Sequence, residues 1–207
     1  ARITESLLLG EKDGISWLPD VNFRIGKFGR VEFTVDGEDY YIQWMSPVLQ
    51  DMSSPPELAV RQLDYAGVDR AVIQHDRISG HLADFLAECL RKFPDRFTIL
   101  AQVDEWIGGQ PDQPARLRPQ IEDLGFSGLH FSTGGFLHDD FKSNINDAAL
   151  EPLWELVGAL GIPVHWYAAR LKRDQMGTYM AELAEMTEWA TNHPGIPSVL
   201  THGLNNI

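Results

Sequence analysis

From about residue 56 onward the chain repeats one unit: an amphipathic stretch of helical period, a glycine, then a short apolar run. A glycine after the last helical turn takes the left-handed cap conformation without steric cost, and a continuous apolar run suits a parallel strand covered on both faces. Alternation of the two predicts an α/β protein built on a parallel sheet. The first helix opens on Ser54-Pro55-Pro56-Glu57, which has the pattern of a capping box, and ends at Ala66-Gly67 before a strand over residues 68–74. The second carries Leu82, Phe85, Leu86, Cys89, Leu90 and Phe93 on one stripe, stops at Phe93-Pro94 and precedes a strand over 97–103. Leu117, Ile121 and Leu124 mark a third helix, with Pro119 placing its start and Gly125 its end before a strand over 127–131. Leu150, Leu153, Trp154, Val157 and Leu160 mark a fourth, closed by Gly161 ahead of Val164-His165-Trp166-Tyr167. A fifth, over 175–191, leads through His193-Pro194-Gly195 to Val199-Leu200-Thr201-His202.

The strand centres lie about 27 to 35 residues apart, the pace of a (β/α) barrel, whose usual length is about 250 residues. Five strands do not close such a barrel. The expectation is therefore a partial (β/α)8 TIM barrel, a fragment or processed product of a longer chain, consistent with a start at Ala1 rather than methionine. A shortened open α/β sheet is the alternative. Residues 1–53 differ in character: Val31 to Val35, the turn dipeptide Asp36-Gly37 and Glu38 to Gln43 spell a β-hairpin. The division predicted is 1–53, an N-terminal insertion with a β-hairpin, and 54–207, the partial barrel.

Charge narrows the partners. With 17 Lys and Arg against 30 Asp and Glu, the formal net charge is −13, which argues against a general nucleic-acid or anionic-membrane role without forbidding a local basic pocket. The single cysteine, Cys89, excludes an intrachain disulfide and fits a reducing cytoplasm. No run reaches the roughly 20 apolar residues of a membrane helix, and the first residues lack the pattern of a secretory signal. Bare sheet edges predict a homo-oligomer or the remainder of a longer chain as cover.

Two histidines, His165 and His202, end the two strongest strand signals, where barrel enzymes place their chemistry; imidazole is also the commonest metal ligand. From the residues alone a metal ligand and a neutral core histidine are equally good readings of His165. His130 ends the strand before Gly134-Gly135 and faces the same mouth, to contact substrate or to pack. Arg77 and Arg170, on loops of that face, offer a bidentate fork to a substrate carboxylate, and surface ion pairing is the alternative for each. The triplets His75-Asp76-Arg77 and Asp104-Glu105-Trp106 also sit on those loops. Trp44, Trp106, Trp166 and Tyr167 are candidates for an aromatic pocket or for core. No serine or cysteine stands in a nucleophile setting.

Ala66-Gly67-Val68-Asp69-Arg70-Ala71-Val72, Phe93-Pro94-Asp95-Arg96-Phe97, Leu160-Gly161-Ile162-Pro163-Val164-His165 and Leu200-Thr201-His202-Gly203, in this order and spacing, resemble the amidohydrolase-related family that includes aminocarboxymuconate semialdehyde decarboxylase and the resorcylate decarboxylases. The likeness covers most of residues 40 to 203. It implies a metal-dependent barrel that hydrolyses, decarboxylates or hydrates small, often aromatic or carboxylated substrates. It further implies His165 as a metal ligand, His202 as the acid/base group beside it, and a divalent cation, zinc before manganese. From strand position, with adjacent parallel strands about 4.8 Å apart, the two imidazoles are expected within about 7 Å of each other. The family's His-x-His on the first strand and aspartate on the last have no counterpart here. A metal-free, inactive barrel fragment serving as a binding or assembly module is the competing expectation.

Overall fold

The computed structural model describes residues 24–75, 80–139, 141–168 and 175–201. They fall into two compact units, divided between Ala71 and Val72, Asp76 and Arg77, and Phe97 and Thr98.

The first unit opens with an antiparallel sheet of β1 (Arg24–Ile25), β2 (Arg30–Val35) and β3 (Glu38–Gln43), in that order. Asp36 and Gly37 both have positive φ, 52° and 83°, so the turn twists with its strands and sets the register at Val35 opposite Glu38. One face stacks Phe33 on Tyr40 with centroids 5.7 Å apart; on the other, the Arg30 guanidinium lies 4.2 Å from the centre of the Tyr41 ring.

Helix α1 (Pro56–Ala66) departs from the predicted capping box. Pro55, not Ser54, occupies the cap position and has no side-chain acceptor to offer, while Pro56 pre-sets the first turn. Glu57 instead pairs with Lys92 of α2 (Ala83–Lys92). The far end of α1 closes as predicted: Gly67, at φ 68°, donates to the Asp64 carbonyl, and Val68 donates to that of Leu63. On α2 Leu86 and Cys89 are buried, and burial pushes the Cys89 thiol pKa up.

Strands β4 (Ala71–Ile73) and β5 (Phe97–Ile99) form a two-stranded sheet. A four-stranded sheet follows in the order β6 (Ala101–Gln102), β7 (Leu129–Ser132), β8 (Val164–Tyr167) and β9 (Ser198–Leu200), every neighbouring pair parallel. The strand predicted over 97–103 is one extended segment that changes partner at its middle. Leu100 donates to the Ile73 carbonyl, and Ala101 donates to that of Gly128. Spatial order therefore follows chain order, the arrangement of a partial (β/α) barrel.

Between the strands lie α3 (Asp112–Glu122), α4 (Glu151–Leu160) and α5 (Gln175–Asn192). Helix α3 does not start at Pro119 but runs through it. Pro119 and Ala115, four residues earlier, are both exposed, so the carbonyl that lacks an amide donor is on the solvent side, while Leu117 is fully buried. Helix α4 ends on Gly161 at φ 64° with the same pair of capping bonds as α1. The core beneath the sheet is aromatic: Trp166 lies 4.8 Å from Trp189, 5.7 Å from Trp154 and 5.5 Å from Phe131, ring centre to ring centre. Such pairs add about 0.5–1.5 kcal/mol each beyond area burial. Strand β9 breaks the expectation of burial on both faces: Val199 and Leu200 remain 42% and 41% exposed, because it pairs with β8 on one side and no described strand lies on the other. No helix among the described residues is long and apolar enough to cross a membrane.

Candidate active site

Side chains alternate across a strand, and the aromatic core fixes which way. Phe131 and Trp166 meet Trp154 of α4, so their register partners' neighbours, His130 and His165, point to the opposite face. In the parallel register Gln102, His130, His165 and Val199 form one row across β6 to β9, with Ser132 opposite Tyr167 one step nearer the carboxyl ends. Adjacent strands about 4.8 Å apart make the two imidazoles direct neighbours. The sequence-predicted His130 and His165 are thus brought together on the inner face at the carboxyl end of the strands.

Their surroundings differ. His130 is buried at 2% exposure and its ring stacks near that of Tyr167, centroids 6.5 Å apart and planes inclined by 23°. His165 is half-buried, and desolvation holds its pKa below the ordinary 6.5. Near pH 7 its neutral form dominates, the form whose ring nitrogen lone pair can bind a cation. His75, beyond β4, is buried too. His202, Arg77 and Arg170 lie outside the described residues.

Two carboxylates grip the end of β7. Glu105, in a short 3-10 turn after β6, is 1% exposed and accepts the Ser132 amide at 3.0 Å. A side chain at position 135 would place its Cβ 2.5 Å from the Glu105 carboxylate, so Gly135 makes room for it. Glu182 of α5, 4% exposed, accepts from the Thr133 hydroxyl, which also lies 3.3 Å from the Tyr167 carbonyl. The Ser132 hydroxyl is fully buried and has no hydrogen-bond partner among the described residues. Sequence reasoning placed Glu105 on a loop of this face but assigned it no role, and missed Ser132 and Glu182. The only hint was a run of small polar residues, Ser132-Thr133-Gly134-Gly135, at a strand end. Trp166, a pocket candidate by sequence, belongs to the core at 2% exposure, and Trp44 is exposed on the hairpin unit.

The donor chemistry of this face suits one ligand position, the neutral imidazole of His165. Among the described residues no group of three or more His, Cys, Asp or Glu could hold a metal ion, so they do not make a complete centre.

A sequence model of the family described as Amidohydrolase matches residues 38–206. The chain belongs to the amidohydrolase family. Solved structures agree on the fold. An uncharacterised TIM-barrel protein from Bordetella bronchiseptica is 19% identical with a TM-score of 0.57, over 72% of this chain and 52% of that one. 2,6-Dihydroxybenzoate decarboxylase from Rhizobium is 16% identical with a TM-score of 0.55, over 72% and 56%. 5-Carboxyvanillate decarboxylase from Novosphingobium aromaticivorans, solved with bound manganese, is 16% identical with a TM-score of 0.52, over 72% and 49%. This amidohydrolase chain thus spans about half the length of the structures it matches and is a partial TIM barrel. No curated protein sequence matches it.

Proposed function

We propose that the chain carries part of a metal-dependent enzyme that hydrolyses or nonoxidatively decarboxylates a small, carboxylated or aromatic substrate. The observation that carries the reading is the placement of a half-buried His165 beside His130 on the inner face of the sheet. His165 would give one ligand to a divalent cation, zinc or manganese, the remaining ligands coming from outside the described residues. A cation held there supplies Lewis acidity.

The other roles belong to side chains. His202 would move the proton: onto the substrate carbon where a carboxylate leaves, or away from attacking water in a hydrolysis. Arg77 and Arg170 would hold the substrate carboxylate by bidentate hydrogen bonds, and His130 would contact substrate while backing Tyr167. Glu105 and Glu182 fix the carboxyl end of β7, through the Ser132 amide and the Thr133 hydroxyl. A homo-oligomer or further chain would cover β9, whose exposed Val199 and Leu200 support that reading.

Metal content and turnover measured together test the assignment. In the full-length protein His165→Ala should lower bound metal and activity in parallel, whereas His202→Asn should keep metal and lose about 10²- to 10⁴-fold in rate. Equal metal loss in both would make His202 a second ligand. No metal bound after zinc or manganese supplementation would favour the binding or assembly module instead.

A further inference from the structure

Strand β8 presents two large aromatic side chains in succession, and the pleat sends them to opposite faces. Trp166 is consumed by the core through Trp154 and Trp189. Tyr167 stands on the inner face with His165, one pleat repeat closer to the carboxyl end, and is half-buried. Its ring lies nearly parallel to that of the buried His130, centroids 6.5 Å apart. Its backbone carbonyl lies 3.3 Å from the Thr133 hydroxyl, whose proton goes to the buried Glu182. Two residues of strand rise separate Tyr167 from His165 by about 7 Å, roughly the span of a six-membered ring with one substituent.

We propose that Tyr167 is the platform on which a planar, conjugated carboxylate substrate lies, an inference that rests on the active-site reading of His165. An aromatic ring packed beside a buried neighbour loses little side-chain freedom when a second flat π system stacks on it. A saturated ring of the same size cannot match that contact, so the site discriminates by flatness as well as by charge. Trp166, equally large and adjacent in sequence, takes no part because it faces the helices.

The test compares benzoate with cyclohexanecarboxylate, equal in charge and close in size, titrated into the full chain with binding followed at the ring protons of His165. The unsubstituted chain and Tyr167→Phe should bind benzoate about threefold to tenfold more tightly than the saturated acid, and Tyr167→Leu should lose that preference while still binding both. A Leu variant that keeps the preference overturns the platform, as does an unsubstituted chain that binds the two acids equally; the active-site reading survives either result. If neither acid perturbs His165 in the unsubstituted chain, the active-site reading fails and the platform fails with it.

Discussion

The hairpin β2–β3 and the central pair β7–β8 are both short, aromatic-rich strand pairs, yet they are held by different physics. In the hairpin, register is decided locally, by Asp36 and Gly37 in the left-handed region, and β3 stays exposed along its whole length. In the central pair, register is decided by what covers it: Phe131 and Trp166 are almost wholly buried against Trp154, while His130 and His165 are thereby turned inward. A locally specified pair can tolerate loss of any one side chain. A pair specified by burial cannot, and it is the pair that carries the candidate chemistry.

The sharpest way to break this contrast is to truncate one aromatic in each. Trp166→Ala removes a ring 2% exposed from a four-ring cluster and should cost about 3–5 kcal/mol, measured by denaturant unfolding. Tyr40→Ala removes a ring already 52% exposed, whose cross-strand stacking on Phe33 is worth about 0.2–1 kcal/mol. Comparable losses at both positions would show that the hairpin, too, depends on tertiary cover.

Acid should separate the regions next. The folded-state pKa of His165 is depressed by desolvation, so below the ordinary value of 6.5 the unfolded chain takes up the proton before the folded one does. The contribution of His165 is therefore fully present above pH 6.5, declines as pH falls through that value, and levels off below the depressed folded value. His165→Gln should flatten this part of the stability profile. An unchanged profile would mean that the imidazole is as well solvated in the folded chain as in the unfolded one.

The same contrast explains what could be foreseen. Features set by a few neighbouring residues were legible: the Asp36-Gly37 turn, the left-handed caps at Gly67 and Gly161, and the stripe that buries Cys89. Placement of His165 and His130 at one mouth followed from their positions at strand ends, whereas their shared row depends on the register of β7 against β8. Features that need distant partners were not legible. Ser132 and Glu105 are 27 residues apart, and Thr133 and Glu182 are 49 apart, so no local pattern announces that these carboxylates are buried. Pro119 misled because a local rule, that proline starts helices, gave way to solvent exposure on one side and the buried Leu117 on the other. The exposure of β9 likewise reflects what lies beside the strand, about which its own apolar residues say nothing.

The smallest expected effect probes a place where the buried pair is imperfect. A buried hydroxyl without a hydrogen-bond partner carries a desolvation penalty of about 1–3 kcal/mol, whereas removing its oxygen leaves only a void smaller than a water molecule. Ser132→Ala removes that hydroxyl but keeps the backbone amide on which Glu105 depends, since Glu105 accepts from the main chain. The variant should therefore be neutral or more stable by up to about 1 kcal/mol in denaturant unfolding, unlike nearly every other truncation in β7 and β8. A loss of about 1 kcal/mol or more would show that the hydroxyl is bonded in solution, to an ordered water or to a residue outside those described. The end of β7 would then be as fully satisfied as the turn of the hairpin.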